Sequence, residues 1–397
     1  MNARLEPSDC CPGKTGLEDL FAARDKVRSL ARPLTASERT PLARARDRVL
    51  AESITARHAM PGVDNSAMDG YALRLADLNG LSGQQRHLAV TLRVAAGAGP
   101  EPLPAQGCAR IFTGAPIPLG ADAVVPQERV QLDEDGRVYF PEHIALGAHI
   151  RRQGEETQPG DALLAPGKVL DAVAIALLTA QGLTSVATRT RLRAAVISTG
   201  SELVPAGAPI APGQVVNSNA SMLTALLCQQ GVDVVDLGIV EDGADAMRDA
   251  LDYAARNADL VICSGGVSVG EEDHVRPTLD ALGGVSLHGV AMKPGKPFTL
   301  GYVGESPDSG TPVIGLPGNP TAALVAWHLL GLPFLHRRQG RAPAALKRFP
   351  VAAGFARRPQ ASRRELIRVR LDWHGPDPVA ELAGEQGSNM LKSACDA

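Results

Sequence analysis

Lysines and carboxylates gather in a few short, glycine- and proline-rich stretches of the second half of the chain. "KPGKP" carries Lys293 and Lys296, and ammonium groups bind phosphate and other oxyanions as point charges. Glu202 lies in "STGSEL", Asp242 in "EDG" and Asp273 in "SGGVSVGEED". Mg²⁺ usually takes one or two carboxylates and completes its shell with phosphate oxygens and water. These residue types indicate a phosphorylated ligand bridged by a hard cation, with surface salt bridges as the alternative for any one carboxylate.

"SGGVSVGEED" follows a short apolar run and precedes a predicted helix. Gly265, Gly266 and Gly270 would let backbone N–H groups approach an anion closely, and Ser264 and Ser268 add hydroxyl donors. The spacing fits neither a Walker loop nor a GxGxxG fingerprint. Taken alone, the stretch is explained equally well as a structural turn.

"LPGNP" predicts the start of a helix. Pro317 precedes the turn, Pro320 has the preset φ of a first helical turn, and Asn319 is placed to cap it.

From residue 192 onward, apolar runs such as "LRAAVIST" and "DLVICS" alternate with amphipathic stretches such as "ADAMRDALDYAARN". This order predicts strands alternating with helices, and hence a largely parallel sheet covered on both faces. Ligands of such sheets bind beyond the carboxyl ends of the strands. We therefore expect "STGSEL", "EDG", "SGGVSVGEED", "KPGKP" and "LPGNP" to lie at one edge of the sheet.

The first half of the chain lacks this alternation of strands and helices. Short β-like runs separated by Gly and Pro fill about 60 to 168, and "DAVAIALLTAQG" then returns to helix, with Asp171 placed to cap it. The predicted organisation is a disordered tail (1–14), a discontinuous helical and linker domain (15–59 with 148–191), a β-rich domain (60–147), a Rossmann-like α/β domain (192–338) and a small C-terminal β domain (345–397). The fold class is thus α/β and multidomain.

Composition narrows the function further. The formal net charge is −3 and aromatic residues make up 3% of the chain, which speaks against nucleic acid or a membrane surface as a partner. No long apolar run or signal core is present in the sequence, so a cytoplasmic location is expected. The six cysteines and nine histidines lack metal-ligand spacing, which argues against a caged transition metal.

"VDNSAMDGYAL" sets Asp64 and Asp69 among small residues in the β-rich half. A calcium loop is excluded, because Asp69 stands at the sixth position, where the EF-hand pattern requires glycine. A turn and a ligand-facing loop both remain open on local grounds, since Asn65 and Gly70 favour turns.

In this order, "DNSAMDGYA", "RIFTGAPIPLGADAVVPQE", "RRQGEE", "STGSEL", "GQVVNSN", "SGGVSVGEED", "KPGKPF" and "LPGNP" closely resemble the molybdopterin molybdenumtransferase (MoeA) family, whose relatives include the C-terminal domain of gephyrin. The resemblance implies Mg²⁺-dependent insertion of molybdate into adenylyl-molybdopterin with release of AMP. It also implies an elongated homodimer with a β-rich lever domain. Molybdopterin adenylyltransferase and molybdoenzyme maturation factors are the further partners it implies.

The same resemblance assigns functional positions residue by residue. They are Asp69, Thr113, Glu202, Asp242, Asp273, Lys293, Pro317 and Pro320, with Arg363, Arg368 and Ser388 resembling molybdate-binding positions. Asp69 is expected to reach the sheet-edge site from the partner chain, and Asp64 to shape its turn with Asn65.

Three departures from the family pattern stand out. His288 replaces a frequent lysine and is expected to be neutral at pH 7, which would weaken anion binding there. Glu156 stands where aspartate is usual. By comparison with the family, the C-terminal β domain is expected to be shortened by roughly two or three dozen residues.

Two other functions remain as alternatives. One is a molybdopterin adenylyltransferase, although such proteins consist essentially of the α/β domain alone. The other is a non-catalytic dimeric scaffold or degenerate paralogue, since fold alone does not settle function.

Overall fold

A computed structural model describes residues 16–267, 273–358, 363–373, 375 and 377–397. The chain forms two compact units, the first drawn from 1–52, 166–175 and 185–397, the second from 53–165 and 176–184. The five-part organisation expected from the sequence stays a prediction.

The described residues form short and long β-strands along the whole chain. In chain order they are β1 Ser37–Pro41, β2 Ile54–Thr55, β3 Asn65–Ser66, β4 Gly70–Leu73, β5 His87–Val94, β6 Gly107–Ile111, β7 Ala123–Pro126, β8 Gln131–Leu132, β9 Arg137–Tyr139, β10 Ile150–Arg151, β11 Ala162–Leu164, β12 Ser185–Arg189, β13 Arg193–Thr199, β14 Leu203–Val204, β15 Val215–Val216, β16 Asp233–Val240, β17 Leu260–Ser264, β18 Gly283–His288, β19 Met292–Lys293, β20 Thr299–Val303, β21 Thr311–Leu316, β22 Ala352–Ala353, β23 Arg364–Glu365, β24 Val369–Asp372 and β25 Val379–Leu382.

The α-helices are concentrated in the first unit, and a π-helical turn over Trp327–Gly331 joins two of them. In chain order they are α1 Leu20–Leu30, α2 Ala172–Ala180, α3 Ser218–Gln229, α4 Ala244–Asn257, α5 Val275–Leu282, α6 Pro320–Ala326, α7 Leu332–Arg338 and α8 Leu391–Cys395. Among the described residues, none of the helices combines the length and apolar character needed to cross a bilayer.

A six-stranded sheet in the order β16-β13-β17-β21-β20-β18 is the centre of the first unit. The first four strands are parallel, as the sequence pattern predicts, whereas β20 and β18 run antiparallel at one side. The largely parallel sheet is confirmed, with an antiparallel pair that the alternating pattern did not reveal.

Both faces of this sheet are covered, which explains why its central strands are continuous apolar runs. In β13, Val196 packs with α1, α3 and the helices after β21, while its neighbour Ile197 packs on the opposite face with α4 and α5. Both side chains are fully buried, and each such burial stabilises the fold by about 1.5–3 kcal/mol.

Two distant segments pair next to this core. β1 and β12 are antiparallel, with Thr40 opposite Val186, and the Thr40 and Thr188 hydroxyls are hydrogen-bonded at 2.7 Å. Asp171 caps α2 as predicted, because its Oδ1 accepts the Ala174 N–H at 2.8 Å.

The second unit is rich in β-structure, as expected. Its main sheet has the order β7-β4-β6-β5-β9-β8, in which only the β5–β6 pairing is parallel among the described strands. Gly70 begins β4 rather than occupying a left-handed turn position. A Cβ there would lie 2.1 Å from the Val125 carbonyl oxygen, so close strand approach explains this glycine.

The segment near the C-terminus forms a three-stranded sheet, β22-β25-β24. "RELIRVRLDW" is two strands rather than one, because β23 pairs with β19 while β24 pairs with β25. This split attaches the segment to "KPGKP".

Candidate active site

The loops that follow the parallel strands lie at one edge of the main sheet, in agreement with the sequence prediction. Those after β13, β16, β17 and β21 follow carboxyl ends that point the same way. "KPGKP" reaches this edge by a different route, because it precedes the antiparallel strand β20. Thr299, at the start of β20, pairs with Gly315 near the end of β21.

These loops line a cavity of about 740 Å³. The predicted residues that line it are Glu202, Asp242, Ser264, Gly265, Gly266, Asp273, Pro317 and Pro320. Lys293 and Lys296 are not among its lining residues, although the adjacent Pro297 is. Ser268 and Gly270 lie outside the described residues.

Asp242 ties two of the loops together. Its Oδ1 accepts the Thr199 hydroxyl at 2.5 Å, and its Oδ2 accepts the Ser201 N–H at 2.5 Å. The carboxylate is therefore oriented by the end of β13. The Glu202 side chain is exposed, and no hydrogen bond reaches its carboxylate from any described residue.

Gly265 and Gly266 are required by the close approach of β13 and β17. Both have positive φ, +93° and +62°, and a Cβ on Gly265 would lie 2.2 Å from the Thr199 carbonyl oxygen. The Gly265 N–H donates to the Leu316 carbonyl at 3.1 Å. This N–H is therefore already used by a neighbouring strand, and anion binding by the other N–H groups of the turn stays a prediction.

Asn219, which the sequence reasoning did not single out, holds the floor of the cavity. Its Nδ2 donates to Ser264 Oγ at 2.7 Å and to the Gly318 carbonyl at 2.7 Å. Its buried Oδ1 has no hydrogen-bond partner among the described residues. The motif "GQVVNSN" could have indicated this residue, because Asn217 caps α3 and Asn219 therefore lies in its first turn.

The turn before α6 differs from expectation in one detail. The helix begins at Pro320 as predicted, but the Asn319 side chain makes no capping hydrogen bond.

Lys293 is paired with a carboxylate that sequence reasoning missed. Its Nζ lies 3.4 Å from Glu365 Oε1, and Arg357 donates to both oxygens of Glu365 at 2.9 and 2.6 Å. The Arg357 guanidinium, and then the Lys293 ammonium, lower the pKa of Glu365 to about 2. The pairing of β19 with β23 sets Lys293 opposite Glu365.

His288 is the last residue of β18 and pairs with Thr299, the first residue of β20. Its Nδ1 is 2.8 Å from the Thr299 hydroxyl. Burial, and then the nearby Arg276 cation, lower the pKa of His288 below its ordinary value, so the ring is neutral at pH 7, as expected from the sequence.

Arg368 is buried and engaged in the C-terminal segment. Its Nε donates to Ser393 Oγ at 3.0 Å, and its Nη2 donates to the carbonyls of Glu385 at 2.7 Å and Gly387 at 3.0 Å. The guanidinium therefore positions the 385–387 turn. Arg363 is half-buried nearby in the chain.

That turn leads into the cavity wall. The Ser388 carbonyl accepts the Thr321 N–H of α6 at 3.0 Å, and Asn389 and Leu391 line the cavity. Ser388 itself meets the site through its backbone.

Asp69 and Thr113 form a pair in the second unit. The Asp69 Oδ1 accepts the Thr113 N–H at 2.7 Å and the Thr113 hydroxyl at 2.8 Å. These two bonds, the backbone one first, lower the pKa of the exposed Asp69 carboxyl. The Arg110 guanidinium acts in the same direction.

Asp64 has a structural role that extends beyond the turn it was expected to shape with Asn65. Its two oxygens accept the Gln153 N–H at 2.7 Å and Arg152 Nη1 at 2.6 Å. The bond from Gln153 is the main reason why the pKa of Asp64 is lowered. Asp64 thus joins "DNSAMDGYA" to "RRQGEE".

The carboxylates of the cavity suit a shared cation better than a protein cage. Within the described part of the chain, no group of three or more His, Cys, Asp or Glu side chains could hold a metal ion by itself. Glu202, Asp242 and Asp273 nevertheless line one cavity. One or two carboxylates completed by phosphate oxygens is the usual environment of Mg²⁺, and this donor set fits it.

Comparison with known proteins places the chain in a family. Residues 19–182 match the MoeA N-terminal region (domain I and II), and residues 195–337 match a probable molybdopterin binding domain. A molybdopterin molybdenumtransferase of Haemophilus influenzae is 39% identical over 81% of this chain and 78% of its own length. One from Synechococcus elongatus is 35% identical over 90% of this chain and 88% of its own.

Solved structures agree. The molybdopterin biosynthesis MoeA protein of Pyrococcus horikoshii superposes with a TM-score of 0.72 at 31% identity, over 96% of this chain and 93% of that one. The order of motifs, the sheet-edge cavity and these likenesses lead to one conclusion: the chain belongs to the molybdopterin molybdenumtransferase (MoeA) family.

Proposed function

We propose that this chain inserts molybdate into the dithiolene of adenylyl-molybdopterin in a Mg²⁺-dependent reaction that releases AMP. The observation that carries the proposal is the charge of the cavity. Glu202, Asp242 and Asp273 line it, and no Lys, Arg or His is among its described lining residues. An anionic, phosphorylated substrate would be repelled there unless a cation entered with it.

One or two of these carboxylates would bind that cation together with the substrate phosphates. Asp242 is already oriented by Thr199 and Ser201, while Glu202 presents an exposed carboxylate. When bound, Mg²⁺ would neutralise charge on the phosphoanhydride. Asp273 lines the same cavity and adds to its negative charge.

The remaining chemistry needs position and charge rather than a covalent intermediate. The described cavity lining contains no cysteine or histidine that could serve as nucleophile or base. Asn219 would position the cavity wall indirectly, because its Nδ2 holds both Ser264 and the Gly318 carbonyl, and the glycine turn would keep the wall close. Lys293 and Lys296 would bind oxyanions at the same sheet edge. Lys293 would do so while it remains ion-paired with Glu365.

The first test is AMP release from adenylyl-molybdopterin with molybdate and Mg²⁺. Asp242→Asn keeps the shape and removes the charge, and we expect a loss on the order of 100-fold, typical of losing one well-placed charged group. Asp245→Asn is the matched control, because Asp245 is an exposed carboxylate in the first turn of α4 that does not line the cavity. Equal rates for Asp242→Asn and the unmodified protein would refute the proposal.

We further propose that the protein acts as a homodimer in which Asp69 and Thr113 complete the site of the partner subunit. Their hydrogen-bonded pair is exposed and belongs to a separate compact unit. Inactive Asp69→Asn and Asp242→Asn proteins, mixed and allowed to exchange subunits, should then regain about a quarter of the activity, because half of the dimers carry one intact site. No recovery in dimers shown to have exchanged would contradict this arrangement.

The adenylyltransferase alternative makes a separate prediction, which is ATP consumption with unadenylylated molybdopterin. The match of residues 19–182 to the MoeA N-terminal region favours the insertase, with an adenylyltransferase as the supplier of its substrate.

A further inference from the structure

A second cavity, of about 230 Å³, lies between α1 and α7 in the first unit. Its lining includes Arg24, Arg28, Arg337, Arg341 and Lys347, together with two histidines, and no described lining residue is acidic. The chain as a whole carries a net charge of −3, so this concentration of cations runs against its average composition. We propose that this basic cavity binds a tetrahedral oxyanion, either as a free ion or as the phosphate group of a small molecule.

The C-terminal end of α7 forms part of the cavity wall. Gly340, at φ +73°, ends α7 and donates to the Arg337 carbonyl at 3.0 Å, while the Arg341 N–H donates to the His336 carbonyl at 3.0 Å. This is a Schellman arrangement, which turns the chain back over the last helical turn. It places Arg341 beside His336 and directs the following segment along the cavity.

Arg341 is a fixed cation. Its Nη1 donates to Gln230 Oε1 at 3.2 Å and its Nη2 to the Gln230 carbonyl at 3.0 Å. Arg24 is similarly held, because its Nη1 donates to the Leu329 carbonyl at 2.7 Å. Both guanidinium groups are therefore anchored to neutral acceptors, which leaves their charges without a direct carboxylate partner among the described residues.

The cationic side chains of this cavity repel one another electrostatically. Burial and the neighbouring Arg28 lower the pKa of Arg24, and burial followed by Arg341 and Arg24 lowers the pKa of His336 to about 4. The nearest acidic influences are outside the lining: Asp25 lies 3.8 Å from Arg28, and Asp47 acts on Arg341 at longer range. A bound dianion would relieve this repulsion through charge-assisted hydrogen bonds.

This basic cavity and the sheet-edge cavity have no lining residue in common among the described residues. The proposed site is thus separate from the sheet-edge cavity and does not depend on the proposed insertase activity.

The test is calorimetric titration of the full chain with inorganic phosphate, molybdate and ribose 5-phosphate. Arg337→Gln with Lys347→Gln removes two exposed lining cations, and we expect its Kd to rise roughly tenfold or more, since each charge-assisted bond contributes on that scale. Arg248→Gln with Arg256→Gln is the matched control, because it removes two exposed cations on α4, outside the cavity. Its Kd should stay within about twofold of the unmodified protein.

The ligand series then separates the two sources. Tighter binding of ribose 5-phosphate than of phosphate assigns the cavity to a phosphorylated small molecule, and the reverse assigns it to a free ion. A Kd that is unchanged in the cavity variant, or that changes equally in the control, overturns the proposal. AMP release should be unaffected by the cavity variant, so failure here is distinguishable from failure of the insertase assignment.

Discussion

Replacing Gly265 with alanine tests how tightly the wall of the sheet-edge cavity is built. Gly265 has φ +93°, and an added Cβ would lie 2.2 Å from the Thr199 carbonyl oxygen. That oxygen belongs to the backbone of β13, so a side-chain rotation cannot relieve the contact. Either the turn or the strand must move.

The cost has two parts that a matched variant can separate. Alanine at a left-handed position costs about 1–2 kcal/mol, and forcing extra volume into a packed site adds about 1–3 kcal/mol. Gly213 has nearly the same φ, +90°, but no heavy atom lies within 4 Å of its added Cβ. Gly265→Ala should therefore lower the free energy of unfolding by about 2–5 kcal/mol, and Gly213→Ala by about 1–2 kcal/mol.

Tryptophan fluorescence during urea unfolding measures this difference. Trp327 is 1% exposed in the core of the first unit, whereas Trp373 is 62% exposed, so a Trp373→Phe background isolates the core signal. If Gly265→Ala were no more destabilising than Gly213→Ala, the contact with Thr199 would not constrain the turn, and the explanation of the glycine would fail.

Two contacts lead to further predictions. The pKa of Glu365 is lowered to about 2, so its ionised form stabilises the folded state fully above the unfolded pKa. This contribution should be lost as pH falls from about 4.5 through 2. Denaturation at each pH measures it, because the difference in free energy of unfolding between the unmodified protein and Glu365→Gln should stay constant above about pH 5. In an NMR titration, Arg357→Gln should raise the Glu365 pKa more than Lys293→Gln does, since Arg357 supplies two hydrogen bonds; the opposite order would contradict the geometry. Thr113→Val should raise the Asp69 pKa while leaving it below its ordinary value, because the backbone N–H remains; a return to the ordinary value would show that the hydroxyl alone lowers it.

The α/β core could be predicted from periodicity because its strands are buried on both faces. β17 is the clearest case, since "LVIC" is apolar throughout and successive side chains pack on opposite faces of the sheet. The position of the loops at one edge could be predicted from strand direction alone. The antiparallel direction of β20 and β18 could not be predicted, because an apolar strand has the same pattern in either direction.

Contacts between side chains that are far apart in the sequence could not be predicted from the sequence. Asp64 and Arg152 are 88 residues apart, and nothing local indicates that the two motifs meet. The Lys293 pairing with Glu365 likewise depends on a two-residue strand contact. Short strands of this kind carry too few residues to show a period.

The turn held by Arg368 has a practical consequence for work with this protein. It leads within a few residues to Asn389 and Leu391, which line the cavity. Because the same guanidinium also holds Ser393, a substitution that loosens this buried contact would shift the cavity wall without altering any residue that lines it. Losses of affinity in variants of this segment should accordingly be checked against the position of the turn before they are assigned to a lost ligand contact.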